Sequence, residues 1–232
     1  MARDKHLVLS VAQNPPYWSH CRFLREKIAS GTLGEIEAVS INWLGNALGA
    51  LGLEDLPQQM PGVVKPTLFR RSVHENGGGF LIDGGSHLLC ELLWCTQLRV
   101  ESVTAQMDDS GFDLRAALTL SLSNGALATL SQAANSHVRD KRHRSLYFGA
   151  AATAQVTGVP FEVEIQAPQA DSAIESVHER DLPEAPTPVG DFIECVRGGC
   201  KEPELDNDLS VHIVEVIAAA YESAGSGKRV TC

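Results

Sequence analysis

Asp83 and His87 have the types and the spacing that proton transfer requires. They lie four residues apart in ENGGGFLIDGGSHLLCELLW, residues 75–94, where the leucines recur at the spacing of a helix with an apolar face. Residues at i and i+4 fall on one side of a helix. There a carboxylate can orient an imidazole and raise its basicity. The alternative is that Asp83 caps the helix and His87 is half-buried beneath it without a role.

A glycine triplet, Gly77–Gly79, precedes this helix. Glycine lets the backbone adopt positive φ or approach a ligand closely. We therefore expect a pocket at this point, with Gly78 and Gly79 as substrate-binding residues.

The composition excludes several classes of partner. The chain has 232 residues and a formal net charge of −10, which argues against nucleic-acid and anionic-membrane partners. No apolar stretch approaches the roughly 20 residues that span a bilayer. The six cysteines form no C-x-x-C pair, so no metal site is predicted and the thiols are expected to be reduced. The first residues do not resemble a secretory signal, and we expect a cytoplasmic protein.

The elements around the acid–base pair follow from apolar periodicity. The patterns predict a buried strand over Leu7–Gln13, a helix over Trp18–Ser30 and a strand over Glu35–Leu44. A Gly- and Pro-rich loop, Gly45–Pro66, is long enough to line a site.

After the Asp83 helix the chain predicts mainly strands. Ser123-Asn124-Gly125 predicts a hairpin turn, and Leu209–Ser223 predicts the last helix. The expected strands are Val100–Met107, Asp113–Leu122, Ala126–Ala133, Arg144–Phe148, Ala154–Val159, Phe161–Ile165 and Arg229–Thr231. Ala167–Pro188 is polar and predicts a surface excursion. Strands in succession between groups of helices indicate an α+β fold with an open, mostly antiparallel sheet covered by helices on one face.

Three stretches in the right order resemble the C-terminal domain of the Gfo/Idh/MocA oxidoreductases, the glucose–fructose oxidoreductase and inositol dehydrogenase family. They are IASGTLGEIEAV (residues 28–39), GGGFLIDGGSHLL (77–89) and EPELDNDLSVHIVEVIAAAYESAGSGKRV (202–230). The resemblance implies a sugar or cyclitol-like polyol substrate, NAD or NADP as cofactor, and a homodimer or higher oligomer formed through the open sheet face.

The resemblance also implies roles for individual residues. His87 matches the family's general acid/base, and Asp83 matches the residue that orients it or binds substrate. Phe69-Arg70 is similar to a Trp-Arg that precedes the glycines, which makes Arg70 a substrate contact; the alternative is a surface arginine. His74, beside the glycines, is a further substrate-binding candidate.

Other features depart from the family pattern. The sequence contains no G-x-G-x-x-G near its start and no Glu-Lys-Pro motif. By order, Leu7–Gln13 corresponds to the last strand of a Rossmann-type nucleotide domain, which divides the chain into a remnant (residues 1–14) and a substrate-binding and oligomerisation domain (15–232). We therefore expect a truncated protein in which this chain binds no NAD(P) alone.

Three functions remain open from the sequence. In the first, the chain is the substrate-binding and catalytic half of an NAD(P)-dependent sugar- or cyclitol-type oxidoreductase. Alternatively, it is a cofactor-free lyase, isomerase or cyclase that uses His87 as a base. In the third reading it is a non-catalytic dimeric binding module.

Overall fold

Nine strands form one sheet within the part of the chain that the structure, a computed structural model, describes: residues 3–5, 7–55, 68–137, 141–167, 175–200 and 202–232. Their order is β8-β7-β6-β5-β1-β4-β3-β2-β9. The strands are β1 (Ile36–Leu44), β2 (Val100–Met107), β3 (Arg115–Leu122), β4 (Leu127–Ala133), β5 (Arg142–Gly149), β6 (Thr153–Gly158), β7 (Glu162–Gln166), β8 (Glu175–His178) and β9 (Val230–Thr231). All neighbours are antiparallel except β1 and β4, which are parallel.

Alternation of small and apolar side chains gives the sheet one buried face. On β3, Ala116, Leu118, Leu120 and Leu122 are buried while the residues between them are exposed or partly exposed. The predicted turn joins β3 to β4: Gly125 N donates to Leu122 O, and the Asn124 side chain accepts from Ala126 N. This alternation confirms the expected half-covered sheet.

The covered face packs against helices. These are α1 (Ser19–Ala29), α2 (Val73–Asn76), α3 (Ser86–Thr96), α4 (Pro188–Val196) and α5 (Asn207–Ser226). Leucines of α3 and the inward side of α5 join the strands in one core. Asp206 caps α5 by accepting from Leu209 N at 2.7 Å. The α+β class and the open, mostly antiparallel sheet are therefore confirmed. No helix in the described ranges is long and apolar enough to cross a bilayer.

Two predictions about local structure are wrong. Leu7–Gln13 does not form a strand: it pairs with no described strand, and Leu7 and Leu9 are exposed. A strand needs a neighbour for its backbone groups. In contrast, Glu175–His178, inside the predicted polar excursion, does form an edge strand because it pairs with β7. The assignment of residues 1–14 to a nucleotide domain stays a prediction, and residues 56–66 of the predicted loop lie outside the described ranges.

The expectation of six free thiols is also wrong. Cys195 and Cys200 form a disulfide at the end of α4. The carboxylate of Asp191 lies beside them and accepts hydrogen bonds from the Tyr17 hydroxyl and from Glu204 N. Sequence spacing missed the pair because bending of the chain after α4 brings the two residues together.

Candidate functional site

The segment that carries Asp83 begins as a π-helical turn. Leu81–Gly85 forms this turn, and α3 continues directly from it with Ser86. Asp83 therefore lies in the π turn and His87 in the first turn of α3. Single π turns inside helices are frequent at functional sites.

Gly78 and Gly79 approach the chain itself closely. Gly79 N donates to the Tyr221 hydroxyl of α5 at 3.2 Å, and a side chain at Gly78 would run into the same phenol ring. A side chain at Gly79 would collide with Asp113 and the backbone of Phe112. The glycines thus bring the site segment against α5 and the residues before β3. Their contact with substrate stays a prediction.

The carboxylate of Asp83 forms an ion pair with Arg70. The guanidinium Nη2 lies 3.2 Å from Asp83 Oδ1, and the two side chains are 38% and 17% exposed. The sequence predicts both residues at the site on separate grounds, and the structure brings them together. Because the pair is partly exposed, it organises the site more than it stabilises the fold.

His87 is largely buried, and its Nδ1 has no hydrogen-bond partner among the described residues. Burial lowers the pKa of His87 below its usual value; the charge of Asp83 opposes this, and those of Lys141 and Arg70 reinforce it. The imidazole is therefore neutral at neutral pH. Asp83 influences it through charge rather than through a hydrogen bond.

His74 does not join this group in the described structure. It lies on α2 and its side chain is exposed. A short helix between Arg70 and the glycines thus turns it toward solvent. Its role in substrate binding stays a prediction.

A buried polar cluster that the sequence patterns do not predict lies beneath α3. Glu91, one helical turn after His87, is 1% exposed and lies 3.1 Å from His143 of β5. Ser145 and Tyr147 also donate to its carboxylate. The sequence does contain an indication of this cluster, because Glu91 is the one charged residue in the apolar run from Leu88 to Trp94.

The family follows from a direct match. The profile of the GFO/IDH/MocA C-terminal domain matches residues 21–155. The chain belongs to the Gfo/Idh/MocA family and carries its C-terminal, oxidoreductase-type domain. Among curated protein sequences, none matches significantly.

Solved structures share this fold. An oxidoreductase domain protein from Kribbella flavida aligns at a TM-score of 0.79 and 15% identity, covering 99% of this chain and 68% of that chain. Levoglucosan dehydrogenase in complex with NADH and levoglucosan gives 0.78 and 17%, covering 99% and 67%. Aldose-aldose oxidoreductase from Caulobacter crescentus, complexed with glycerol, gives 0.74 and 17%, covering 99% and 65%. The chain thus spans about two thirds of the length of these structures, and similarity at such identity establishes the fold alone.

The glycine triplet Gly77–Gly79 does not have the arrangement of a pyrophosphate site. Such a site places a glycine-rich turn between a strand and a helix N-terminus. Here the triplet Gly77–Gly79 follows helix α2 instead, and two of its glycines contact Tyr221 and Asp113. The triplet therefore forms no pyrophosphate cradle, and the expected inability of this chain to bind NAD(P) alone stays a prediction.

Proposed function

We propose that this chain is the substrate-binding half of an NAD(P)-dependent oxidoreductase that acts on a sugar or another polyol. The observation that carries the proposal is His87, a partly buried imidazole that is neutral at neutral pH because burial lowers its pKa, an effect that the charge of the Asp83 carboxylate opposes. A general base must be deprotonated at the working pH. The family and the sugar-linked names of the similar structures support the substrate class.

His87 takes the proton of a substrate hydroxyl in this proposal. Asp83, fixed by Arg70, lies where it stabilises the imidazolium that forms, because an adjacent negative charge favours the protonated ring. Burial acts against protonation, so the ring returns its proton readily. The chain thus handles the substrate and its proton, and no nucleotide step is assigned to it.

The test follows the imidazole of His87 by NMR while levoglucosan or L-sorbose is added to the full chain. We expect a saturable shift of the His87 signals, which Asp83→Asn weakens and His87→Asn removes. His178→Asn is the matched control and should leave the shift of the His87 signals unchanged. The His178 ring lies on β8, its side chain is 49% exposed, and its Nδ1 is 3.9 Å from Oε1 of Glu162. Sugars that leave the His87 signals unchanged at every concentration would contradict the proposal.

The same samples separate the alternatives. A sugar that is converted without added nucleotide, in a reaction that His87→Asn abolishes, identifies a lyase or isomerase. Binding without conversion, followed by reduction of NAD⁺ once a nucleotide-binding domain is added, identifies the oxidoreductase half.

A further inference from the structure

A buried ion pair joins α3 to the sheet one helical turn from His87. The carboxylate of Glu91 lies 3.1 Å from Nε2 of His143, and the two residues are only 1% and 6% exposed. Despite burial, His143 and the other polar neighbours lower the pKa of Glu91 to about 2, while Glu91 raises the pKa of His143. Glu91 is therefore ionised at neutral pH, and its charge favours the protonated form of His143 against the effect of burial.

The same carboxylate contacts three successive inward residues of β5. The Ser145 hydroxyl donates to Oε1, and the Tyr147 hydroxyl donates to Oε1 at 3.1 Å. Together with His143, these contacts tie one point of α3 to a length of strand. They fix both the rotation of α3 about its axis and its position along the sheet.

The apolar contacts of α3 restrict its rotation less specifically than these polar contacts do. Leu88, Leu89, Leu92 and Leu93 pack into the core, but apolar attraction is non-directional. The directional contact of Trp94, whose indole donates to Glu204 O at 3.0 Å, lies at the far end of the helix. Buried polar groups can specify one packing arrangement among several apolar ones.

We propose that Glu91, through its pair with His143, is a positioning residue for His87. The role of His87 as the base rests on the proposed function above, but its orientation by Glu91 does not. The charges that act directly on the His87 ring are those of Asp83, Lys141 and Arg70. Glu91 instead acts through the orientation of α3, so its removal changes the burial of His87.

Other titratable groups face Glu91 from the neighbouring elements. His20 of α1 lies close enough that Glu91 raises its pKa, although burial lowers it overall. Burial raises the pKa of Tyr147 and of Cys21, and Glu91 raises both further. These groups are therefore neutral at neutral pH, so that Glu91 and His143 are the groups of the cluster in which a charge is favoured.

The test measures the pKa of His87 by NMR in Glu91→Gln and in the double variant Glu91→Met/His143→Leu. We expect the pKa of His87 to rise toward the ordinary histidine value in both, because the ring becomes less buried. In the double variant, apolar side chains of similar volume replace the buried pair, and we expect the midpoint of urea unfolding to return to that of the wild type. If Glu91 only stabilised the fold, the pKa of His87 in the double variant would also return to its wild-type value.

Glu215→Gln is the matched control. Glu215 also pairs with a histidine, His212 at 3.3 Å, but on α5. The variant Glu215→Gln should leave the pKa of His87 unchanged. If the pKa of His87 in the folded double variant equals that of the wild type, the proposal is overturned. The double variant gives this answer even if Glu91→Gln fails to fold. A His87 shift without any sugar binding would disprove the proposed function alone.

Discussion

At the scale of single residues, the charge environment of His87 is mixed. Asp83 raises its pKa, whereas Arg70 and Lys141 lower it, and burial is the largest effect. Arg70 also holds the carboxylate of Asp83. One arginine thus places the carboxylate and at the same time weakens its effect on the imidazole.

Arg70→Gln should therefore raise the pKa of His87. The change removes a positive charge that disfavours the imidazolium and leaves the charge of Asp83 in place. Histidine NMR titration measures this directly. In an activity assay, the limb on which kcat/KM rises with pH should move to higher pH.

The control for this prediction is Arg71→Gln. Arg71 is adjacent in sequence and exposed, and it packs over Gly52. It should leave the pKa of His87 as it is. An unchanged or lower pKa in Arg70→Gln would show that the guanidinium acts only on Asp83.

At the scale of elements, the start of the site segment is fastened to α5 and to the turn before β3. Asp113 accepts from Leu81 N and from the Tyr221 hydroxyl, which itself accepts from Gly79 N. Gly78 and Gly79 permit this approach, because a side chain at either position would overlap Tyr221 or Asp113.

Gly78→Ala should destabilise the fold by about 2 kcal/mol, because the methyl group meets Tyr221 and φ is 149°. Urea unfolding measures the loss. Gly225→Ala is the matched control: its side chain enters open space within α5, and helix propensity predicts a gain of up to ~1 kcal/mol. Equal stability of Gly78→Ala and wild type would mean that Tyr221 moves aside freely.

The pair of Glu91 and His143 should make stability depend on pH. The lowered pKa of Glu91, about 2, stabilises the fold above its ordinary value near 4.5, and this is lost as the pH falls toward 2. The raised pKa of His143 stabilises the fold below 6.5, and this is lost as the pH rises through the raised value. The pair thus contributes most between about pH 4.5 and 6.5.

Urea unfolding across this range checks the prediction. The free energy of unfolding of wild type should fall more steeply below pH 4.5 than that of Glu91→Met/His143→Leu. His20, whose pKa is lowered by burial, is present in both proteins and destabilises both as the pH falls through 6.5. Parallel curves for the two proteins would show that the pair is not charged.

At the scale of the whole molecule, none of the helices in the described part of the chain covers the second face of the sheet. Leu127 of β4, Ala38 of β1 and Phe148 of β5 are paired in register and lie side by side on that face. Leu127 is 56% and Phe148 41% exposed. We propose that this small apolar row is the centre of the predicted homodimer interface.

Phe148→Glu should convert a dimer to a monomer in light scattering coupled to size exclusion, because it places a charge at the centre of the contact. Val211→Glu, on α5 and 56% exposed, is the matched control and should leave the mass unchanged. A monomeric wild-type chain would rule out this interface.

The sequence by itself determined much of this protein. Apolar periodicity located α1, α3, α5 and most of the strands, and the Asn-Gly turn located the β3–β4 hairpin, because these signals are local. Three motifs placed the chain in its family, which the profile match confirms. The second motif also selected Asp83 and His87, and the similarity of Phe69-Arg70 selected Arg70; the structure joins Asp83 and Arg70 in an ion pair.

Only the tertiary structure decided the rest. Leu7–Gln13 has a strand-like pattern but no partner, whereas Glu175–His178 has a weak pattern and gains β7 as a neighbour. The cluster of Glu91 and His143 joins residues far apart in the chain, as do Gly78 and Tyr221. Pairing, burial and charge depend on which distant residues meet, and the local pattern of a segment does not contain that information.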